Sequence, residues 1–216
     1  WRESNYGPKP GLPATEQTIA TGTVQMELHP NFNNLVSEIE ELGYKVTIVE
    51  QDFGKIKIDP EVKVRKMFSK NKEFLGYDKE VILIKEMDYN TMLHEHGHIN
   101  QVEKLKLQGI NIATEKVVGN MSKSVGEQRF WNAIEYHNRL QDIERIVNMK
   151  KAGIKVPQKI IEQAQKGSEF YRNRYRESMI LESNNPLKQM RISNSMQEKL
   201  GYIIEDIKRL EKLNIH

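Results

Sequence analysis

Between Thr23 and Leu28 the apolar Val24, Met26 and Leu28 alternate with Thr23, Gln25 and Glu27, the period-2 pattern of a half-buried strand. The period then lengthens. Leu35, Val36, Ile39 and Leu42 recur at helical spacing after Asn31 to Asn34, and Gly43 supplies a helix stop. Residues 46–49 and 55–58 form two more β-like runs, parted by Asp52, Phe53 and Gly54, and residues 81–84 form a more apolar one. Helical spacing returns at Met92, Ile99, Val102, Leu105 and Leu107, with Asp88 or Asn90 as N-cap and an end near Gly109. After a loop through Gly119 and Asn120, Ser124 and Glu127 match the spacing of a capping box. They open a helix carrying Phe130, Ala133, Ile134, Leu140, Ile143 and Val147, which stops near Gly153. Two more helices are expected, one with Pro157 in its first turn and one from Ser195, with Glu198 completing a second capping box.

Strands that precede a long helix and give way to helices alone predict an α+β fold. The order suggests an arm or linker over residues 1–20, a mixed domain over 21–150 and a helical C-terminal extension over 151–216. The arm carries Gly7, Pro8, Pro10, Gly11 and Pro13 without periodicity, and the chain begins at Trp1. Both features fit a piece released from a larger protein.

Composition narrows the chemistry. Apolar residues make up 38% of the 216 and charged residues 29%, with a net charge of +3 and both signs interleaved. That is the profile of a folded chain rather than a disordered one. Arg172, Arg174, Arg176, Lys188 and Arg191 are diluted by Glu169, Glu177 and Glu182, so a solvated helix is expected there and no nucleic acid partner. No stretch approaches the roughly 20 apolar residues of a membrane span. With no cysteine in the chain, any metal must be held by His and carboxylate.

Residues 94–98 read His-Glu-His-Gly-His, placing three of the six histidines in five positions on an expected helix. Residues four apart are about 40° apart around a helix axis, so His94 and His98 present both imidazoles to one point. Glu95, about 100° round from His94, is placed to take a proton from a water held at that point and return it to a leaving amine. His96, about 200° round, should face away as an exposed or supporting residue. A catalytic zinc site needs a third protein ligand and an open position. The next helix, reached by a short connection, can supply it. Glu127 is the first choice because it shares the side of Phe130, Trp131 and Ile134, although its place in a capping box explains it equally without a metal. Glu135 and His137 stay open as alternatives, Glu135 being set back by Arg139 four residues on, a spacing that suits an exposed ion pair. Asp142 and Glu115 follow.

Leu93-His94-Glu95-His96-Gly97-His98, with Glu127-Gln-Arg-Phe-Trp131 some thirty residues later, resembles the zincin-like metallopeptidases. The small sheet before the motif and the Glu-x-x-x-Trp helix after it look most like the metallopeptidase toxin domains of bacterial polymorphic toxins. The resemblance covers roughly residues 21–150. It implies a zincin-like fold, with a small β-sheet packed on a motif helix and a third-ligand helix. It also implies a zinc ion held by His94, His98 and Glu127, with Glu95 as catalytic base hydrolysing peptide bonds. The partners implied are a protein or peptide substrate and an immunity protein, and the place is secretion or delivery into a target cell as part of a larger bacterial protein. It further implies an oxyanion stabiliser beside the zinc, for which Tyr136, His137 and Arg129 are candidates and none is singled out. The competing expectation is a non-catalytic helical interaction module in which the same zinc site only holds the fold together.

Overall fold

The computed structural model describes residues 32–50, 60–85, 89–115, 125–184 and 192–213. The chain is α+β. In order come α1 (Phe32–Glu41), β1 (Lys45–Val49), β2 (Glu61–Phe68), β3 (Phe74–Ile84), α2 (Tyr89–Leu107), α3 (Val125–Lys151), α4 (Gln158–Ser183) and α5 (Asn194–Leu210). The arm, the strand expected at 23–28 and the run at 55–58 lie outside the described residues, as does Ser124 of the first capping box.

The sheet runs in the order β1-β3-β2, with β1 parallel and β2 antiparallel to the central β3. The strand β2 and the first half of β3 were not expected from the pattern. In β2 only Val62 and Val64 occupy inward positions before Lys66 breaks the alternation, so the strand is defined by pairing rather than by periodicity. Its register sets Val62 against Val81 and Val64 against Lys79. Beyond the span of β1, the two strands continue as a ribbon to a turn at residues 69–73, where Ser69 Oγ accepts from the backbone N–H of Asn71 and Glu73.

One side of the sheet packs against helices. Val64, Val81 and Leu83 form a cluster with Leu35 and Ile39 of α1 and with Met92, Ile99, Val102 and Leu105 of α2. Lys79 fastens these layers together, its Nζ donating to Leu42 O at 2.6 Å and to Glu103 at 2.7 Å. The motif helix α2 includes Asn90, one of its two expected caps, and ends where Gly109 adopts φ 69°. There the N–H of Ile110 returns to Leu105 O, a closure that favours glycine at the left-handed position.

A second cluster surrounds α3. Phe130, Ala133, Tyr136, Leu140, Ile143 and Val147 pack with Ile160, Ile161 and Ala164 of α4 and with Leu200, Ile203 and Ile207 of α5, while Leu93 joins them from α2. The residues after 150 therefore share one core with α3. The expected stop at Gly153 holds, with φ 79°. Pro157 caps α4 from just outside it. The cap of α5 differs from expectation: Ser193 Oγ accepts from Met196 N, whereas Ser195 Oγ accepts from Asn111 Nδ2 at 2.8 Å. Ile203 and Leu210 are almost wholly buried. At about 1.5–3 kcal/mol per such side chain, α5 is anchored well enough to place polar groups in the interior. Among the described residues no helix is long and apolar enough to cross a membrane.

Candidate metal centre

His94 and His98 lie one turn apart on α2, their ring centroids 4.6 Å apart and their planes at 76°. Their Nε2 atoms are 3.2 Å from each other. From α3, the Glu135 carboxylate places Oε2 at 3.4 Å from His94 Nε2 and Oε1 at 3.6 Å from His98 Nε2. Zinc bonds of about 2.0–2.1 Å imply ligand–ligand edges of about 3.4 Å in a tetrahedron, so the three groups stand at the separations a shared ion requires. Burial, then His98 and Arg139, hold the His94 imidazole down to about 2, so it stays unprotonated. Glu135 Oε2 is correspondingly buried with no hydrogen-bond partner. An orphaned carboxylate oxygen facing two imidazole nitrogens is the donor set that zinc takes, and the residues fit that ion.

The third group is therefore Glu135 and not the first choice, Glu127. Eight residues separate them on α3, about 12 Å along the axis, so both cannot reach one ion. Glu127 sits in the first turn. The ion pair that set Glu135 back is replaced by another, since Arg139 pairs with Asp142 at 3.6 Å. Asp142 is buried between Arg139 and Arg145. Glu115 lies 3.4 Å from Lys199. His137 is fully buried and bonded to Asp206 and Gln101. None of these joins the cluster of His94, His98 and Glu135.

Glu95 is 6% exposed, next to His94 in the chain, and feels the charges of His98, Glu135, Arg139 and Glu61. Burial pushes its carboxyl up to about 7. His96 does face away from the cluster, but it is buried rather than exposed. Its Nε2 lies 3.1 Å from Glu38 of α1, and its Nδ1 faces donors on Asn100 and Arg145. The three candidate oxyanion groups are engaged elsewhere: Tyr136 donates to Glu211, His137 to Asp206, and Arg129 to Glu182. The cation that acts on His94 and Glu95 is Arg139.

Two amides hold the histidines, and periodicity pointed to neither. Asn138 Nδ2 donates to His94 O at 2.8 Å and lies 3.1 Å from the ring Nδ1. Gln101 Oε1 is 2.9 Å from His98 Nδ1, while Gln101 Nε2 donates to Ile134 O at 2.8 Å. Gly97 explains itself here. A Cβ at that position would stand 1.7 Å from Asn138 Oδ1, so only glycine lets the amide reach His94. Comparison with protein-family models, with curated proteins and with solved structures finds no match in any of the three.

Proposed function

We propose that this chain is a zinc-dependent peptidase whose ion is held by His94, His98 and Glu135. The observation that carries the reading is the convergence of these three groups, with Glu135 Oε2 buried and unpartnered, beside a buried Glu95. When bound, zinc supplies a Lewis acid and lowers the pKa of a coordinated water to about 7. Glu95 then acts as the base, accepting a proton as water attacks a peptide carbonyl and handing it to the departing amine. Arg139 contributes positive charge on the same side. Gln101 orients the His98 imidazole, and Asn138 ties α3 to the backbone carbonyl of His94. The zincin-like sequence resemblance extends the proposal to a protein substrate in a target cell and to an immunity protein as partner.

A purely structural zinc site would need a fourth protein ligand, and the cluster among the described residues offers three. That favours an open, reactive position. The test is zinc content and hydrolysis of a peptide library for three variants. Glu95→Gln should keep about one equivalent of zinc while turnover falls by at least about 10²-fold. Glu135→Gln should lose affinity for zinc, and Glu127→Gln should retain both zinc and activity. Full activity in Glu95→Gln would remove the mechanism, and full zinc affinity in Glu135→Gln would remove the ligand assignment.

A further inference from the structure

A hydrogen-bonded chain of buried groups leads from the metal cluster to the last helix, and the direction of each bond in it can be worked out. The Ile134 carbonyl can only accept, so the group 2.8 Å from it must be the Gln101 NH2. The other end of that amide, Oε1, therefore faces His98 Nδ1 at 2.9 Å and accepts from it. His98 then carries its hydrogen on Nδ1 and leaves the Nε2 lone pair directed at the cluster, as a zinc ligand requires.

The same NH2 lies 2.9 Å from His137 Nδ1, which must accept, and Gln141 Nε2 faces that nitrogen as a second donor at 3.2 Å. His137 thus carries its hydrogen on Nε2, which is 2.7 Å from Asp206 Oδ2. Asp206 is a fitting terminus. Its bonds to His137 and Arg209 hold its carboxyl well below the usual carboxylate range, so it is an acceptor only. A wrong tautomer at His137 would set two N–H groups against each other at Gln101 and strain the amide that orients His98.

We propose that Gln101, locked by His137 and by Asp206 on α5, is a positioning residue that fixes His98 in its metal-binding tautomer. The inference rests on the metal-site reading above, and it gives the C-terminal helix a part in the site. A double-mutant cycle tests it with two readouts. The first is the imidazole tautomer in metal-free protein, by long-range 1H–15N NMR correlation. The second is zinc affinity, by competition with a chromophoric chelator.

The unmodified chain should show His98 protonated on Nδ1 and His137 on Nε2. Gln101→Met should weaken zinc binding by about 10–100-fold, the range for lost support of a ligand histidine. Asp206→Leu should weaken it by about tenfold in the native background and add nothing beside Gln101→Met. If α5 acts only as scaffold, the two losses multiply, and the relay is overturned. His98 found with its hydrogen on Nε2 in the unmodified chain overturns it without any variant. A chain that shows the stated tautomers but binds no zinc overturns the metal-site reading and this proposal's role for it, while unchanged zinc affinity in Gln101→Met overturns the proposal alone.

Discussion

Gly97→Ala adds a single carbon to the motif helix, in the turn between the two histidines. The new Cβ would lie 1.7 Å from Asn138 Oδ1 and 2.8 Å from its Cγ, and Asn138 is fully buried. Either the amide swings away or α2 and α3 separate. Overpacking of this kind costs about 1–3 kcal/mol. Displacing the amide also breaks its bond to His94 O and leaves buried polar groups unmatched, a further loss of about 1–3 kcal/mol. Replacing glycine by alanine inside a helix returns about 1 kcal/mol. The net destabilisation is therefore about 1–5 kcal/mol. It should be read from the midpoint of urea unfolding at constant m. Zinc affinity should fall with it, because the helix that carries both imidazoles loses its tie to α3 at His94 O and shifts against Glu135. Asn138→Ala removes the obstacle, so Gly97→Ala should cost less in that background than in the native one. Equal costs in both backgrounds would refute the steric argument, as would a Gly97→Ala chain with unchanged stability and zinc affinity.

Two further outcomes follow from the buried histidines. Burial holds His137 below its ordinary pKa of about 6.5, and hydrogen bonds hold Asp206 below about 3.9. The unfolded chain therefore binds protons first, so the stability from each group is present above its ordinary pKa and lost as pH falls through the folded value. The contributions of His137 and Asp206 to the unfolding free energy of the metal-free chain should decline below about pH 6.5 and again below about pH 4, opposed below about pH 7 by Glu95, whose raised carboxyl takes up its proton first in the folded state. Asp206→Asn should flatten the lower limb, and an unchanged acid profile would contradict the assignment. His96→Ala should retain about one equivalent of zinc but lose about 1–3 kcal/mol of stability, because it removes a buried imidazole together with its hydrogen bonds to charged side chains on α1 and α3. Zinc loss without destabilisation would put His96 in the site.

The convergence of His94 and His98 on α2 is legible because an i, i+4 spacing dictates geometry on any helix. Helices with glycine stops were equally legible: Gly43, Gly109 and Gly153 all take positive φ just beyond helix ends. The strand β2 was not, since Glu61, Lys63, Arg65 and Lys66 leave too few apolar positions to set a period, and the ladder to β3 comes from residues far along the chain. Ser193 was passed over for Ser195 because both are hydroxyls near the start of a helix. Their partners distinguish them: Ser193 Oγ accepts from Met196 N as the cap, and Ser195 Oγ accepts from Asn111.

Glu135, the third member of the cluster, is hidden from the sequence pattern for a deeper reason. Apolar periodicity marks the face of a helix that enters a core, and on α3 it led to Phe130, Trp131 and Ile134, with Glu127 judged by association with them. The face of α3 that meets the motif helix is instead polar, with Glu135, Asn138, Gln141 and Arg145 at spacings of three and four touching His98, His94, Lys104 and His96. On α2 the answering stripe is His94, His98, Gln101 and Lys104. Burying polar groups is unfavourable unless each finds a partner, and hydrophobic residues would join two helices with less demand on geometry. A helix interface built almost wholly of amides, imidazoles and charges is thus poorly explained by stability alone. It is explained if the ligands must be unprotonated, oriented and shielded from bulk water, because these are conditions that only a matched polar surface supplies.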